Sequence, residues 1–313
     1  MTLPQRTIGD LSVSAIGLGC MPMSFETMVD DRERAIATVH RALDLGITLL
    51  DTANVYAPSW DAMGHNEALV AEAVRTYRGA ADLTGLLVTT KGGITRGPGE
   101  AWGRDSTAEG LRRAAEDSLN QLGVEVIELY QHHRHDPSRG YPEQVRDLGA
   151  LRDAGLIRRI GLSNVSGSEL SVALDILGGP ADGGVVSVQN EYSPRYRADA
   201  DVLERCTALG IAFLPWSPLG GSDQAHDVGS HYAAFAEVGA ELGASAQEVV
   251  LAWLLRLSPV MIPIPGATRP ASVESCVRAL GLVLSEKQFE RLQATVPAQS
   301  SQYPDDLPRS PLA

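Results

Sequence analysis

Short apolar runs alternate with longer amphipathic segments along most of this chain. The runs that predict β-strands cover residues 15–18, 48–50, 86–90, 126–131, 159–162, 185–188, 212–215 and 260–264. Apolar residues recur with helical spacing over residues 31–45, 66–77, 106–122, 142–154, 168–177, 200–209 and 270–280. Strands that alternate with helices in this way are typical of a parallel α/β fold.

The two ends of the chain add elements to this repeat. Residues 5–8 and 11–13 flank Gly9-Asp10, which predicts a β-hairpin with a two-residue turn. Two further helices are predicted near residues 232–242 and 246–254, before the last strand.

An open doubly wound sheet and a closed barrel both fit such a repeat. The open sheet usually has a GxGxxG turn after its first strand, and residues 17–22 have glycines at a different spacing with no helix directly after them. We therefore predict an α/β fold in which residues 1–313 form a single domain. This domain is expected to be a (β/α)8 TIM barrel with an N-terminal β-hairpin over its bottom and extra C-terminal helices.

Charge and cysteine content restrict the partners of the chain. The formal net charge of −13 argues against nucleic acid or an anionic membrane, because both attract basic surfaces. The three cysteines include no CxxC pair, which argues against a disulfide framework or a zinc site and favours a reducing compartment. Without a signal-peptide pattern or an apolar run of about 20 residues, we expect a cytoplasmic protein.

Polar side chains follow three of the predicted strands at the point where each strand ends. Asp51 ends the strand at 48–50, Lys91 follows the strand at 86–90, and His133 lies just beyond the run at 126–131. Alternation along a strand places each of them on the same face as the residues two and four positions earlier, so that His133 shares a face with Gln131 and Leu129. The carboxyl ends of barrel strands meet at one mouth, so these three side chains are expected to converge there.

A tyrosine beside this group would complete an acid for carbonyl chemistry. Tyr56 lies in the loop after Asp51. A free phenol has a pKa near ~10, and a neighbouring ammonium lowers it by favouring the phenolate. Asp51 would keep Lys91 charged at low dielectric, and His133 could orient the substrate oxygen. Such a set can polarise and protonate a carbonyl while a cofactor delivers a hydride.

Each of these residues also has a structural interpretation when taken singly. Asp51 could cap a helix, and Lys91 could be an ordinary surface lysine. Tyr56 could be a packed aromatic residue of its loop. His133 could belong, with its neighbours, to a solvent-facing or metal-binding run of histidines. The joint placement of the polar residues at successive strand ends favours the catalytic interpretation.

At these residues the sequence resembles the aldo-keto reductase superfamily, and the resemblance covers nearly the whole chain. Residues 49–56 are similar to the family's aspartate-to-tyrosine signature, residues 88–91 to its lysine strand and residues 128–136 to its histidine strand. The resemblance implies an enzyme that reduces an aldehyde or ketone to an alcohol by hydride transfer, with Tyr56 as the general acid. The implied catalytic partners are Asp51, Lys91 and His133.

The resemblance also implies the residues that bind a nicotinamide cofactor. Ser163, Asn164 and Gln189 match positions that bind the nicotinamide carboxamide, and Trp216 matches an aromatic that stacks on the ring. Further contacts are implied in the first-strand loop, in the loop after the strand at 212–215 and in the last loop. They are Gly19, Cys20, Met21, Ser217, Leu219, Gly220, Gly266, Thr268, Arg269 and Ser272.

Arg269 favours NADPH over NADH as the cofactor. Pro270 suits the first turn of a helix, and helix N-termini attract phosphate. Arg269, directly before it, adds a forked cation suited to a 2′-phosphate. The family often has Lys and Arg where this chain has Gly266 and Ser272, so Arg269 lacks those basic partners.

The substrate is expected to be a small carbonyl compound, and the oligomeric state is open. Segments 189–192 and 216–221 resemble the bacterial pyridoxal-reductase-like and aryl-alcohol-dehydrogenase-like branches of the family. Substrate contacts come from variable loops in this fold, here residues 56–65, 134–141 and 300–313.

Two other functions compete with a reductase. A non-catalytic, nicotinamide-nucleotide-binding auxiliary or regulatory subunit would share the fold, but it has no need of all four chemical residues. A barrel hydrolase would use paired carboxylates or a metal. No second acidic residue lies at a strand end on the face that would bring it opposite Asp51. The histidines at 132, 133 and 135 lie too close together in the sequence to form a metal triad. We therefore expect no metal.

Overall fold

Parallel strands and helices alternate in this computed structural model, which describes residues 3–222 and 224–302. The strands are β1 (Gln5–Ile8), β2 (Leu11–Ser14), β3 (Leu18–Gly19), β4 (Leu49–Asp51), β5 (Leu87–Gly92), β6 (Ile94–Gly97), β7 (Ala101–Arg104), β8 (Leu129–His132), β9 (Ile160–Ser163), β10 (Val185–Gln189) and β11 (Ala212–Phe213). The helices are α1 (Arg32–Asp44), α2 (His65–Thr76), α3 (Ala108–Leu122), α4 (Tyr141–Asp153), α5 (Gly167–Leu177), α6 (Ala200–Leu209), α7 (Val228–His231), α8 (Ala233–Leu242), α9 (Ala246–Leu257), α10 (Pro270–Arg278) and α11 (Glu286–Gln293).

Seven of the strands form one parallel sheet, and an irregular segment closes it. The sheet order is β11-β10-β9-β8-β5-β4-β3. Backbone bridges join Phe213 to Met261 and Gly19 to Gly266, so residues 261–266 lie between the two edge strands. The prediction of a regular strand at 260–264 is wrong. The prolines at 263 and 265 have no N–H to donate to the hydrogen-bond ladder of a sheet. The predicted barrel is nevertheless confirmed.

The N-terminal hairpin covers the bottom of the barrel, as predicted. Its strands β1 and β2 pair antiparallel, and Gly9 in the turn has a left-handed φ of 59°, which favours glycine. Ile8 and Val13 are buried in the apolar cluster that fills the barrel interior. Asp10 forms an ion pair with Arg159, which directly precedes β9. This contact holds the hairpin at the amino ends of the barrel strands.

All nine predicted helices are present, and three elements were missed. A capping box of Ser245 and Glu248 begins α9, and Ser166 and Glu169 begin α5 in the same way. The prediction missed α7, α11 and the β6–β7 hairpin. A similar box at Ser285 was a signal for α11. The β6–β7 hairpin has no alternation of apolar and polar residues that would have marked it.

The helices pack their apolar faces against the outside of the sheet, where the larger of the buried clusters lies. No single helix in the described ranges is long and apolar enough to cross a membrane. Helices α8 and α9 reach that length and composition only together, as a pair bent by 97°.

Candidate active site

The four residues predicted to be catalytic meet at the carboxyl ends of β4, β5 and β8. Lys91 Nζ lies 2.7 Å from Asp51 Oδ2 and 4.9 Å from the centroid of the Tyr56 ring. The Tyr56 and His133 rings meet edge to face, with centroids 5.8 Å apart. Asp51, Lys91 and His133 are buried, and Tyr56 is half-buried. The expected convergence is present, whereas the catalytic roles stay predictions.

A layer of amides across the barrel holds the Asp51 carboxylate. Its Oδ1 accepts hydrogen bonds from Gln189 Nε2 at 2.8 Å and from Gln131 Nε2 at 3.2 Å. Gln131 also donates to Thr89 Oγ1, at 3.0 Å. Sequence reasoning placed Gln131 on the same strand face as His133 but did not include it in the site. The alternation that selected His133 was the signal that could have identified it.

Lys91 is charged in spite of complete burial. Burial by itself lowers the pKa of the ammonium, but the charges of Asp51 and Tyr56 and hydrogen bonds to both outweigh it and raise the pKa above the ordinary value. Nζ also donates to the carbonyl of Thr52, at 2.8 Å. The site therefore holds a fixed cation beside the phenol of Tyr56.

His133 is neutral in this environment. Burial lowers the pKa of its imidazole well below the ordinary value, and the nearby charge of Lys91 lowers it further. Nδ1 is buried with no hydrogen-bond partner among the described residues. The backbone fixes the ring position, because His133 N donates to Gly92 O at 2.9 Å and Asn164 Nδ2 donates to His133 O at 3.1 Å.

Asn66, which sequence reasoning did not include in the site, fixes the loop that carries Tyr56. Its side chain is buried and donates to Cys20 O at 2.8 Å and Ser24 Oγ at 2.7 Å. It accepts from Thr52 Oγ1 at 2.6 Å, and Asn66 N donates to Tyr56 O at 3.1 Å. Asn66 thus connects the loop after β3 with both ends of the segment 52–56.

The residues predicted to bind the carboxamide form one hydrogen-bonded group at the ends of β9 and β10. Ser163 Oγ donates to Gln189 O at 2.8 Å, and Asn164 Nδ2 donates to Ser163 Oγ at 2.9 Å. Trp216 Nε1 donates to Asn164 Oδ1 at 3.0 Å, which fixes the indole beside this group. Asn164 has a left-handed φ of 59°, a conformation that asparagine adopts more readily than most residues. Amide and hydroxyl groups beside a held indole fit a nicotinamide.

The residues at the end of β3 and just after it, which were predicted to contact the cofactor, lie next to Asp51. Gly19 pairs with Asp51 in the β3–β4 ladder, and Cys20 N donates to Asp51 O at 2.9 Å. A Cβ at Gly19 would lie only 2.7 Å from Ile264 O, so this close approach requires glycine. The Cys20 thiol is fully buried, which raises its pKa, and Met21 begins a short 3-10 helix.

The loop predicted to line a pyrophosphate is in contact with the C-terminal segment. Ser217 Oγ bonds Gln302 Oε1 at 2.6 Å, and Gln302 Nε2 donates to Gly220 O at 3.1 Å. Glu191 accepts from Ser301 Oγ at 2.7 Å. Leu219, between Ser217 and Gly220, is half-buried. The expected role of residues 300–313 in the pocket lies mostly outside the described residues, since 303–313 are not among them.

The remaining predicted contacts form a second group on the surface. Arg269 is the N-cap residue of α10, and its Nε donates to Ser272 Oγ at 3.2 Å. Gly266 and Arg269 are exposed, and Thr268 is half-buried. The bridge between Gly266 and Gly19 connects this group to the first-strand loop. An exposed arginine at a helix N-terminus suits a phosphate.

Known proteins match this chain over nearly its whole length. The sequence profile of the Aldo/keto reductase family matches residues 15–297. This chain belongs to the aldo/keto reductase family. The match confirms the resemblance inferred from the strand-end residues, and the chain is therefore an oxidoreductase of this family.

Two curated relatives cover most of the chain. An uncharacterised oxidoreductase of Schizosaccharomyces pombe is 36% identical over 91% of this chain and 87% of its own length. The pyridoxine 4-dehydrogenase of Escherichia coli is 32% identical over 91% of this chain and 96% of its own length.

Solved structures share the fold of this aldo/keto reductase. The aldo/keto reductase of Klebsiella pneumoniae in complex with NADP and acetate gives a TM-score of 0.76 at 24% identity, over 96% of this chain and 98% of that one. The glycerol dehydrogenase of Gluconobacter oxydans gives 0.79 at 24% identity, over 98% and 97%.

His133 is expected to stay neutral in the folded protein as the pH falls through about 6.5, where a free imidazole takes up a proton. The unfolded chain accepts this proton and the folded chain does not, so the free energy of unfolding should fall as the pH decreases below about 6.5. Nitrogen-15 NMR of the histidine rings measures the titration, with His133→Asn to assign the signal. A His133 ring that protonates at or above about 6.5 would contradict the interpretation.

Proposed function

We propose that this chain reduces an aldehyde or ketone to an alcohol with NADPH, and that Tyr56 is the general acid. One observation carries the proposal. The ammonium of Lys91 is completely buried between the Asp51 carboxylate, at 2.7 Å, and the Tyr56 ring, at 4.9 Å from its centroid. An auxiliary nucleotide-binding subunit would gain nothing from a cation buried against a phenol.

The buried cation explains how a tyrosine can act as an acid near neutral pH. When Tyr56 gives its proton to the carbonyl oxygen, a phenolate remains, and an adjacent ammonium stabilises that negative charge. Asp51 in turn holds Lys91 charged and in place. The pair therefore favours the state that follows proton transfer more than the state before it.

His133 would orient the substrate. A neutral imidazole carries one N–H, and its ring meets the Tyr56 ring edge to face. Together, a neutral His133 and the Tyr56 hydroxyl can bond one carbonyl oxygen without placing a second positive charge beside Lys91. This arrangement fixes the oxygen where the proton is transferred.

The remaining predicted site residues would bind the cofactor NADPH. When bound, NADPH supplies the hydride that the carbonyl carbon accepts. Ser163, Asn164 and Gln189 would hold its carboxamide, with Trp216 against the ring. Arg269 would hold the 2′-phosphate at the start of α10. The NADP complex of the Klebsiella pneumoniae protein and the dehydrogenase activity of the Escherichia coli relative support this assignment.

Tyr56→Phe should abolish carbonyl reduction while NADPH binding persists, because a benzene ring has no proton to donate. The expected loss in kcat is at least the ~10²–10⁴-fold typical of general acid catalysis. Turnover of 4-nitrobenzaldehyde, followed by NADPH absorbance, measures it. Tyr77→Phe is the matched control, because Tyr77 directly follows the last residue of α2 and its hydroxyl donates to Asp44 at the end of α1. Near-normal turnover by Tyr56→Phe would refute the assignment.

Arg269→Ala should weaken NADPH binding and leave NADH binding nearly unchanged. A charge-assisted hydrogen bond contributes roughly 1.5–3 kcal/mol, which corresponds to about a 10–150-fold change in Kd. Titration of both cofactors, followed by tryptophan fluorescence, compares them in one variant. Equal weakening of both would mean that Arg269 holds a part common to the two cofactors. A wild-type preference for NADH would contradict the NADPH assignment itself.

A further inference from the structure

Two short segments beside the catalytic centre are bonded to each other at two points. Residues 133–135 directly follow β8, and residues 163–166 link β9 to α5. Asn164 Nδ2 donates to His133 O at 3.1 Å, which is the first connection. The second connection runs through side chains further along each segment. One segment carries the side chain proposed to orient the substrate, and the other carries side chains proposed to hold the nicotinamide carboxamide.

The carboxylate of Glu169 forms the second connection. Its Oε2 accepts from both the backbone N and the Oγ of Ser166, each at 2.7 Å. Its Oε1 lies 2.9 Å from Nδ1 of His135, two residues after His133. The Glu169 side chain is buried, and these bonds take the place of bonds to water. One buried carboxylate thus joins the loop after β8 to the start of α5.

The surroundings of His135 favour a protonated ring. Its second ring nitrogen, Nε2, lies 3.4 Å from the carbonyl oxygen of Arg139. A carboxylate and a carbonyl are both acceptors, so both ring nitrogens can donate only when the imidazole carries its second proton. The hydrogen bond to Glu169 and the charge of that carboxylate raise the pKa of His135 above the ordinary value, and they outweigh burial. Below this raised pKa, His135 and Glu169 form an ion pair.

Glu169 is charged in spite of its burial. Burial by itself raises the pKa of its carboxyl, but the hydrogen bonds from His135 and Ser166 outweigh that effect and lower the pKa below the ordinary value. Hydrogen bonds between two charged groups are stronger than those between neutral groups. The connection therefore depends on a charge at each end, and it weakens when His135 loses its proton.

The other titratable groups around this pair are engaged or neutral. The charged and titratable groups on the elements that adjoin His135 are His132 at the end of β8, Arg134, Asp136 and Arg139 in the same loop, Tyr141 at the start of α4 and Glu169 on α5. Burial lowers the pKa of His132 to about 4, so that ring is neutral. Asp136 accepts from a serine hydroxyl of its own loop at 2.7 Å, and Arg139 Nη1 lies 2.9 Å from Asp147 Oδ2. The titration of His135 is thus the one that alters this connection near neutral pH.

We propose that the ion pair of His135 and Glu169 holds His133 and the carboxamide-binding residues in position relative to each other, and that it strengthens NADPH binding. The inference rests on the proposed function, because it needs Ser163 and Asn164 to hold the carboxamide. While the pair is intact both segments are held at two points, so less order has to be gained when the cofactor binds. His135 and Glu169 are positioning residues, since they act through the segments that they join.

NADPH should bind more tightly below the pKa of His135 than above it. The ion pair is complete below about 6.5, where a free imidazole is also protonated, and it is lost as the pH rises through the raised pKa. A coupling of ordinary size predicts that the Kd of NADPH increases at least about fivefold as His135 is deprotonated. By reciprocity, bound NADPH should raise the pKa of His135 further. Tryptophan fluorescence measures the Kd without any aldehyde, and nitrogen-15 NMR of the histidine rings measures the titration.

His135→Asn should remove this pH dependence, because the amide can replace the Nδ1 donor but has no charge to lose. Below about pH 6.5 it should bind NADPH at least about fivefold more weakly than the wild type does, and above the pKa of His135 about equally. His40→Asn is the matched control, since His40 on α1 bonds the carbonyl of Ala73 on α2, outside the site. This control should keep the pH dependence of the wild type.

Glu169→Gln distinguishes positioning from simple attraction between charges. Gln288 has the same place in the capping box of α11, so a glutamine at 169 can keep the cap of α5 while it loses the charge. Attraction alone would make NADPH bind more tightly, because a negative charge is removed near an anionic cofactor. Positioning predicts weaker binding by the same factor as in His135→Asn, with the pKa of His135 lowered. The two losses should not add in the double variant.

Two results would overturn the inference and leave the proposed reduction of 4-nitrobenzaldehyde intact. A pKa of His135 that Glu169→Gln does not change would show that the two side chains form no ion pair. Unchanged or tighter NADPH binding in either variant would show that the pair stabilises the loop without positioning the site. If the wild-type protein binds no NADPH, the proposed function fails and this inference fails with it.

Discussion

The site depends on one constraint, a lysine ammonium held entirely out of water beside a carboxylate. An isolated charge in that position would be prohibitively costly, and removing one partner of a buried pair typically costs about 3–5 kcal/mol. Lys91 tolerates burial because Asp51 and the Thr52 carbonyl bond it, and Asp51 is in turn bonded by Gln131 and Gln189. Lys91 and these partners come from β4, β5, β8 and β10 or their ends, so the curved sheet brings residues of four strands together. The Tyr56 ring lies against the cation that this layer fixes.

The same layer connects proton transfer to the expected cofactor position. Gln189 bonds Asp51 through its side chain and Ser163 through its backbone, and Asn164 joins Ser163, His133 and Trp216. A displacement at either end would disturb the other, because hydrogen bonds link each of these groups to the next. On the proposed function, one continuous set of hydrogen bonds would position both the carbonyl oxygen and the face that receives a hydride.

The barrel, the bottom hairpin and the three strand-end residues could be predicted from the sequence, because each has a local signal. Alternation selected His133 over its neighbours, and strand ends of a barrel meet by geometry alone. Asn66 and Glu191 had no such signal, since their partners are distant in the chain and known only once it has folded. The β6–β7 hairpin was missed because its strands are short and show no alternation of apolar and polar residues, although Ile94 packs against the loop that carries Tyr56. The closing segment was predicted as a strand because its prolines were read as part of an apolar run.

The central claim is that Lys91 makes the Tyr56 phenol a competent acid, and the pH dependence of kcat in Lys91→Met tests it most directly. Reduction should fall off at high pH, where the phenol has lost its proton. Without the ammonium, the account predicts that kcat drops by at least about a hundredfold and that this alkaline limb moves to higher pH, while NADPH still binds. A variant with the wild-type rate and an unshifted limb would contradict the account.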